Sequence, residues 1–185
     1  MQIIFAKTTI DVNFYETQKH FQELLPEHGY ILDFGCGSGR DTKYFLEQGF
    51  YVDATDGSEE MCHIASNYTG IQVRRLLFEE LDENKKYDGI WACSSILHLP
   101  KNELKAVFMK MFKALKEDGI IYTSFKYGDF EGERNGRYFT DFTEKTFEEF
   151  VDEIDNLQLK EEWITGDVRP GRGEEKWLNV ILQKN

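Results

Sequence analysis

Basic residues are scarce in this chain: 22 Lys and Arg stand against 34 Asp and Glu in 185 residues, a formal charge of −12. A nucleic-acid binder gains most of its affinity from cations that neutralise phosphates, so this balance argues against nucleic acid, and against anionic membrane surfaces, as partners. Long apolar runs are missing too. No stretch reaches the roughly 18 residues that a membrane-spanning helix needs. The opening MQIIFAKTTID has no basic segment leading into a long apolar core, so no signal peptide is expected. Cysteine is confined to Cys36, Cys62 and Cys93, an odd number without metal-ligand spacing. That pattern predicts no disulfide framework, no metal site and a reducing, cytoplasmic setting. Aromatics are plentiful instead, with 15 Phe, 9 Tyr and 3 Trp, which excludes a disordered chain. The length suits one domain with a sizeable core.

The hydropathy pattern alternates between strand and helix periods. Residues 13–25 read as an amphipathic helix, followed by an apolar strand at 30–34, a helix at 41–48 and a second strand at 51–55. Ser58 is placed to cap a third helix. Residues 72–78 and 87–94 read as further strands, the latter apolar enough to be buried on both faces. Leu104, Val107, Phe108, Met111, Phe112 and Leu115 make one stripe on a helix over 102–116. A strand at 120–125, a helix at 143–154 and strands at 157–164 and 177–183 complete the chain. Alternation of this kind predicts an α/β, doubly wound sheet with helices on both faces. The last two strands are joined by about a dozen residues, too few for a parallel crossover, so the final strand must be reversed. The expectation is seven strands, six parallel and one antiparallel at the C-terminus.

The informative segment is the glycine loop 35–39. A strand enters Gly35-Cys36-Gly37-Ser38-Gly39, and a helix leaves it. Glycines here allow a sharp turn and close approach of backbone to a ligand, at a helix N-terminus that favours anions. Asp56 closes the second strand 21 residues after Gly35, a distance that suits the two hydroxyls of a ribose. A dinucleotide loop would place a small residue at position 40, where this chain has Arg40. It would also place an apolar residue where Asp33 stands. Asp33 before G-x-G-x-G fits an S-adenosylmethionine site instead. Cys36 lies at the helix N-terminus, a position expected to lower a thiol pKa.

The stretch GYILDFGCGSGRDTKYFLEQGFYVDATDGSEEM, with YDGIWACSSILHLP and DGIIYTSF further on, resembles the motifs of class I S-adenosylmethionine-dependent methyltransferases. It is similar to the small-molecule branch with tellurite-resistance-type and ubiquinone-biosynthesis-type enzymes. The resemblance covers roughly residues 12–183 and implies a single Rossmann-like domain over 1–185. Residues 1–28 would form a helical lid region and 29–185 the core. It implies that Asp33, Gly35, Cys36 and Gly37 serve the methionine part of the cofactor. Asp56 would bind the ribose, and Gly57, Met61, Phe78 and Glu79 would flank the adenosine. Ala92, Cys93 and Ser94 would pass under the sulfonium. Phe5, Phe14 or Tyr15 would supply the lid.

His98 follows the fourth strand, on the edge where open α/β sheets bind ligands, and is a candidate general base or substrate contact. Two later loops converge on the same edge and carry Tyr127, Arg134, Arg137, Tyr138 and Arg169. Arginine forks suit carboxylate or phosphate, so the expected acceptor is a small, anionic molecule. Residues 126–139 also hold Asp129, Glu131 and Glu133, and the arginines could equally pair with these. Two alternatives stay open: a non-catalytic cofactor-binding regulator or partner-dependent subunit, and an NAD-dependent oxidoreductase.

Overall fold

The computed structural model describes residues 10 and 12–184. After helix α1 (Tyr15–Glu23) come β1 (Tyr30–Phe34), α2 (Arg40–Glu47), β2 (Tyr51–Asp56), α3 (Glu59–Thr69), β3 (Arg74–Arg75) and β4 (Tyr87–Ala92). The second half contains α4 (Lys101–Ala114), β5 (Leu115–Lys126), β6 (Glu131–Arg134), β7 (Arg137–Thr140), α5 (Glu144–Val151), β8 (Leu157–Gly166) and β9 (Lys176–Lys184). Phe5, one of the expected lid residues, lies outside the described residues.

Seven strands form one sheet in the order β3-β2-β1-β4-β5-β9-β8. The pairs β1–β2, β1–β4, β2–β3 and β4–β5 are parallel, and β9 runs antiparallel to both β5 and β8. Six strands are therefore parallel and the last is reversed, as the short 167–175 connection requires. Strand alternation divides the core. Ile31, Trp91, Ile120, Tyr122 and Ile181 face Phe21 of α1 and Phe45 of α2. Leu32, Phe34, Ile90, Ile121 and Phe125 face Leu104, Phe108 and Met111 of α4 and Phe147 and Phe150 of α5. Both faces are covered, which is why β4 reads as an unbroken apolar run. Trp91 is fully buried and stacks on Tyr122 at 4.1 Å.

Two expectations are corrected. The third strand, expected over 72–78, is reduced to Arg74–Arg75, with a 3-10 turn at Phe78–Glu80. It is an edge strand with one neighbour, both its side chains are exposed, and it has no apolar face to extend. The segment read as a loop after β5 contains the hairpin β6–β7. Its turn is Asn135-Gly136 with φ of 53° and 75°. Two positive φ values give the type I′ turn that matches strand twist, and Asn-Gly is its preferred sequence.

Candidate active site

The β1–α2 loop is built by packing and hydrogen bonds together. The amides of Gly35 and Cys36 both donate to the Thr55 carbonyl of β2, at 2.9 and 2.8 Å. Gly35 has φ +83°, and a Cβ there would lie 2.6 Å from Ser95 Cβ. Ser95 is fixed in turn by its Oγ–H, which donates to the Phe34 carbonyl at 2.7 Å. Gly37 differs: at φ +55° a Cβ would meet only the Met61 methyl, at 4.0 Å. Gly35 is thus glycine because the protein fills the space beside it. Gly37 opens a face of bare backbone.

Asp56 joins this loop directly. Its Oδ2 accepts from the Gly37 N–H at 2.9 Å, and its Oδ1 accepts from the Ser58 N–H at 2.9 Å. Ser58 caps α3 through Met61 N–H, placing Gly57 and Met61 beside the carboxylate. Phe78 stands against Phe34 with ring centroids 4.9 Å apart, and its edge would lie 3.3 Å from a Cβ on Gly35. Glu79 is exposed on the same turn. Asp33, Gly35, Cys36, Gly37, Asp56, Gly57, Met61 and Phe78 are therefore gathered at the carboxyl ends of β1 and β2.

Asp33 contributes from beneath. It is 2% exposed, and its Oδ2 accepts from Thr42 Oγ1 at 2.5 Å, so it pins the start of α2. Burial, and then the neighbouring Asp41 charge, push its carboxyl up to about 8. Asp41 is buried as well and accepts from Gln18 Nε2 at 2.7 Å, Trp91 Nε1 at 2.9 Å and Arg40 Nε at 2.8 Å. Arg40 lies over the Phe14 ring at 4.9 Å. Helix α1, the start of α2 and β4 therefore share one polar node that the sequence motifs do not reveal. The expectation for Cys36 is corrected: its thiol is pushed well up, by burial first and then by Asp33 and Asp56. The helix begins only at Arg40, and desolvation dominates at Cys36.

Beyond β4, Ala92 is buried, and the Cys93 thiol, also pushed up by burial, lies 4.0 Å from the Arg40 guanidinium. Ser94 is exposed with φ 50°, a left-handed conformation that is costly outside glycine, and its N–H donates to Ser124 Oγ at 2.9 Å. His98 Nδ1 lies 2.8 Å from the Tyr138 carbonyl. A carbonyl only accepts, so Nδ1 carries the proton and Nε2 presents a lone pair. The Phe139 ring meets the imidazole edge-on at 4.7 Å. Burial lowers the His98 pKa, and Arg137 and Lys126 act in the same direction.

Four of the five residues expected to recognise an anion have a carboxylate partner. Tyr127 Oη donates to Glu144 on α5, and Tyr138 Oη donates to Glu131. Arg134 pairs with Asp141 at 2.8 Å, and Arg169 pairs with Asp167. Arg137 is exposed on β7. The arginines do not converge as unneutralised forks. Lys126, Phe130, Phe139 and Trp177 do gather on this edge. The Asn135-Gly136 turn was the sequence signal for the hairpin that presents Phe139. Among the described residues no cluster of His, Cys, Asp and Glu could hold a metal. No helix there is long and apolar enough to cross a membrane.

A methyltransferase-domain family matches residues 31–119, from β1 through α4. YqeM of Bacillus subtilis (strain 168), which carries a provisional methyltransferase name, is 33% identical over 122 residues, covering 60% of this chain and 49% of that protein. The chain spans about half the length of the curated relatives it matches. Among solved structures, the Burkholderia thailandensis 1,6-didemethyltoxoflavin-N1-methyltransferase, holding 1,6-didemethyltoxoflavin and S-adenosylhomocysteine, superposes with a TM-score of 0.77 at 24% identity. The match covers 98% of this chain and 81% of that one. A TehB-like methyltransferase from Corynebacterium glutamicum superposes at 0.67 with 19% identity, covering 94% of this chain and 89% of its own. At these identities the two structures speak to fold alone. Residues 31–119, which hold the glycine loop, thus resemble a methyltransferase domain, and the chain as a whole shares its fold with solved S-adenosylmethionine-dependent methyltransferases.

Proposed function

We propose that this chain transfers a methyl group from S-adenosylmethionine to a small-molecule acceptor by in-line displacement. The observation that carries the reading is the 2.9 Å hydrogen bond between Gly37 N–H and Asp56, which unites the glycine loop with the acidic end of β2. The residues fit the cofactor, because among the described residues a Cβ on Gly37 would meet only the Met61 methyl, at 4.0 Å, which leaves its backbone open to a ligand. Bound S-adenosylmethionine supplies an electrophilic methyl carbon on a positive sulfur. Asp56 holds the ribose hydroxyls. The backbone of Gly35, Cys36 and Gly37 takes the methionine part, and Asp33 keeps that loop in place from below. Gly57, Met61, Phe78 and Glu79 flank the adenosine, and Ala92, Cys93 and Ser94 pass under the reacting centre. Holding two reactants in line is worth several kcal/mol and demands no triad. His98 Nε2 takes the proton of an acceptor that arrives as O–H or N–H. Phe14 and Tyr15, at the start of α1, close the site within the lid region 1–28.

The acceptor binds beside Tyr127, Arg134, Arg137, Tyr138 and Arg169. The carboxylates on Arg134 and Arg169 remove the need for a negative charge on it. The Burkholderia neighbour acts on a small molecule, which supports a small acceptor here. The acidic balance argues against a nucleic-acid partner, and the three free cysteines favour a cytoplasmic setting. Arg40, the first residue of α2, still occupies the position a dinucleotide site reserves for a small residue.

Calorimetric titration tests the reading, with S-adenosylhomocysteine and NADH in parallel. Micromolar binding of the first alone, abolished in Asp56→Ala, is the expected result. Binding of NADH, or of neither, overturns it. Turnover with no acceptor despite tight cofactor binding would favour the non-catalytic regulator instead.

A further inference from the structure

We propose that the acceptor is a neutral, planar aromatic or heteroaromatic molecule carrying an O–H or N–H, gripped by Phe130, Phe139 and Trp177. This inference rests on the methyltransferase reading. Trp177 pairs with Lys126 where β9 meets the carboxyl end of β5. The Lys126 ammonium lies 5.6 Å from the Trp177 ring and 5.8 Å from Phe139. The Arg134 guanidinium lies 4.1 Å from Phe130 and 5.3 Å from Phe139. His98 touches the same Phe139 ring at 4.7 Å. Three rings, two cations and the imidazole thus form one cluster beyond the strand ends that carry Ser94 and Ser124.

Charge decides against an anion. Lys126 is paired with Glu175, Arg134 with Asp141 and Arg169 with Asp167. An incoming carboxylate or phosphate must compete with one of these carboxylates for its cation. Beside Arg134 it would also meet buried Asp141, whose Oδ1 has no hydrogen-bond donor. At Asp141 and Asp167, which are buried, that exchange takes the cation away from a desolvated carboxylate. A neutral ring needs no such exchange. Its faces and edges match Phe139, Trp177 and Phe130, the last still 38% exposed. The proton inventory points the same way. His98 donates to the Tyr138 carbonyl through Nδ1, so its Nε2 carries a lone pair that an O–H or N–H would match. In the transfer, the acceptor's lone pair forms the bond to the methyl carbon, the carbon–sulfur bond breaks, and the acceptor proton passes to Nε2.

The test uses the full chain saturated with S-adenosylhomocysteine. It is titrated at neutral pH with naphthol and with naphthoate, followed by calorimetry and tryptophan fluorescence. Naphthol is expected to bind at least about tenfold more tightly than naphthoate. It should also quench fluorescence, and Trp177→Phe should remove most of that quench and weaken naphthol binding in the same direction as the Phe139 variants. Phe139→Ala should weaken naphthol about tenfold with S-adenosylhomocysteine affinity unchanged. Phe139→Leu, which keeps the hairpin packed, should weaken it in the same direction. Tighter binding of naphthoate, no binding of either aromatic, or naphthol binding indifferent to Phe139→Leu would overturn the proposal. Failure to bind S-adenosylhomocysteine would instead overturn the methyltransferase reading beneath it.

Discussion

Gly35 and Gly37 lie two residues apart, both with positive φ, yet substitution by alanine should fail for opposite reasons. At Gly35 the new Cβ lies 2.6 Å from Ser95 Cβ and 3.3 Å from the Phe78 ring. A side chain in this backbone region costs about 1–2 kcal/mol, and forced overpacking adds about 1–3 kcal/mol. Gly35→Ala should therefore lose roughly 2–5 kcal/mol of stability. At Gly37 only the backbone cost applies, about 1–2 kcal/mol, because the nearest atom is 4.0 Å away. Its methyl group would occupy the ligand face instead, so S-adenosylhomocysteine affinity should fall far more than stability. Urea unfolding and calorimetry on both variants separate the two effects. Adding Ser95→Gly tests the packing argument, since the double mutant should regain about 1–3 kcal/mol as a coupling energy. Equal stability losses at the two glycines, or no coupling between positions 35 and 95, would refute the reasoning.

The protonation of Asp33 gives a pH signature. Its buried carboxyl is pushed up to about 8, against about 3.9 in an unfolded chain. Between these values the folded state holds a proton that the unfolded state has lost, so stability falls as pH rises from about 4 to 8. Asp33→Asn should flatten that slope, and its urea midpoint should gain on the parent between about pH 5 and pH 8. His98 runs in the opposite sense. Its pKa is lowered by burial, so the lone pair persists through neutral pH, and turnover should fall only below the ordinary histidine range, about 6.5. His98→Gln keeps a donor for Tyr138 but removes the base. It should cost about 10²- to 10⁴-fold in turnover with cofactor affinity unchanged. Trp91→Phe removes one donor from buried Asp41 and should lower stability by about 1–3 kcal/mol, read as a shifted denaturation midpoint at constant slope.

The alternation of elements, the reversed last strand, the glycine loop and Asp56 were all legible in the chain itself. Each is a local fact. Periodicity, a short connection and residues that permit one backbone conformation need no knowledge of distant neighbours. The hairpin was legible in principle too, because Asn135-Gly136 is a turn signal, but its strands are four residues each and leave little period to read. The third strand shrank because an edge strand lacks a second partner, which sequence does not announce.

Partnership and burial belonged to tertiary structure. Arg134 is followed seven residues later by Asp141 and Arg169 is preceded by Asp167, yet only the fold shows that these pairs close and withdraw the arginines from anion recognition. Gln18, Asp41 and Trp91 are distant in sequence and meet because α1, α2 and β4 pack together. Cys36 reads in sequence as the start of a helix, but the helix begins at Arg40 and burial raises the thiol. The sequence determined which backbone could turn and where the sheet would switch, since those depend on local conformational cost. The structure alone decided which charges are neutralised and which rings face one another, since Coulomb energy and desolvation depend on distance through space.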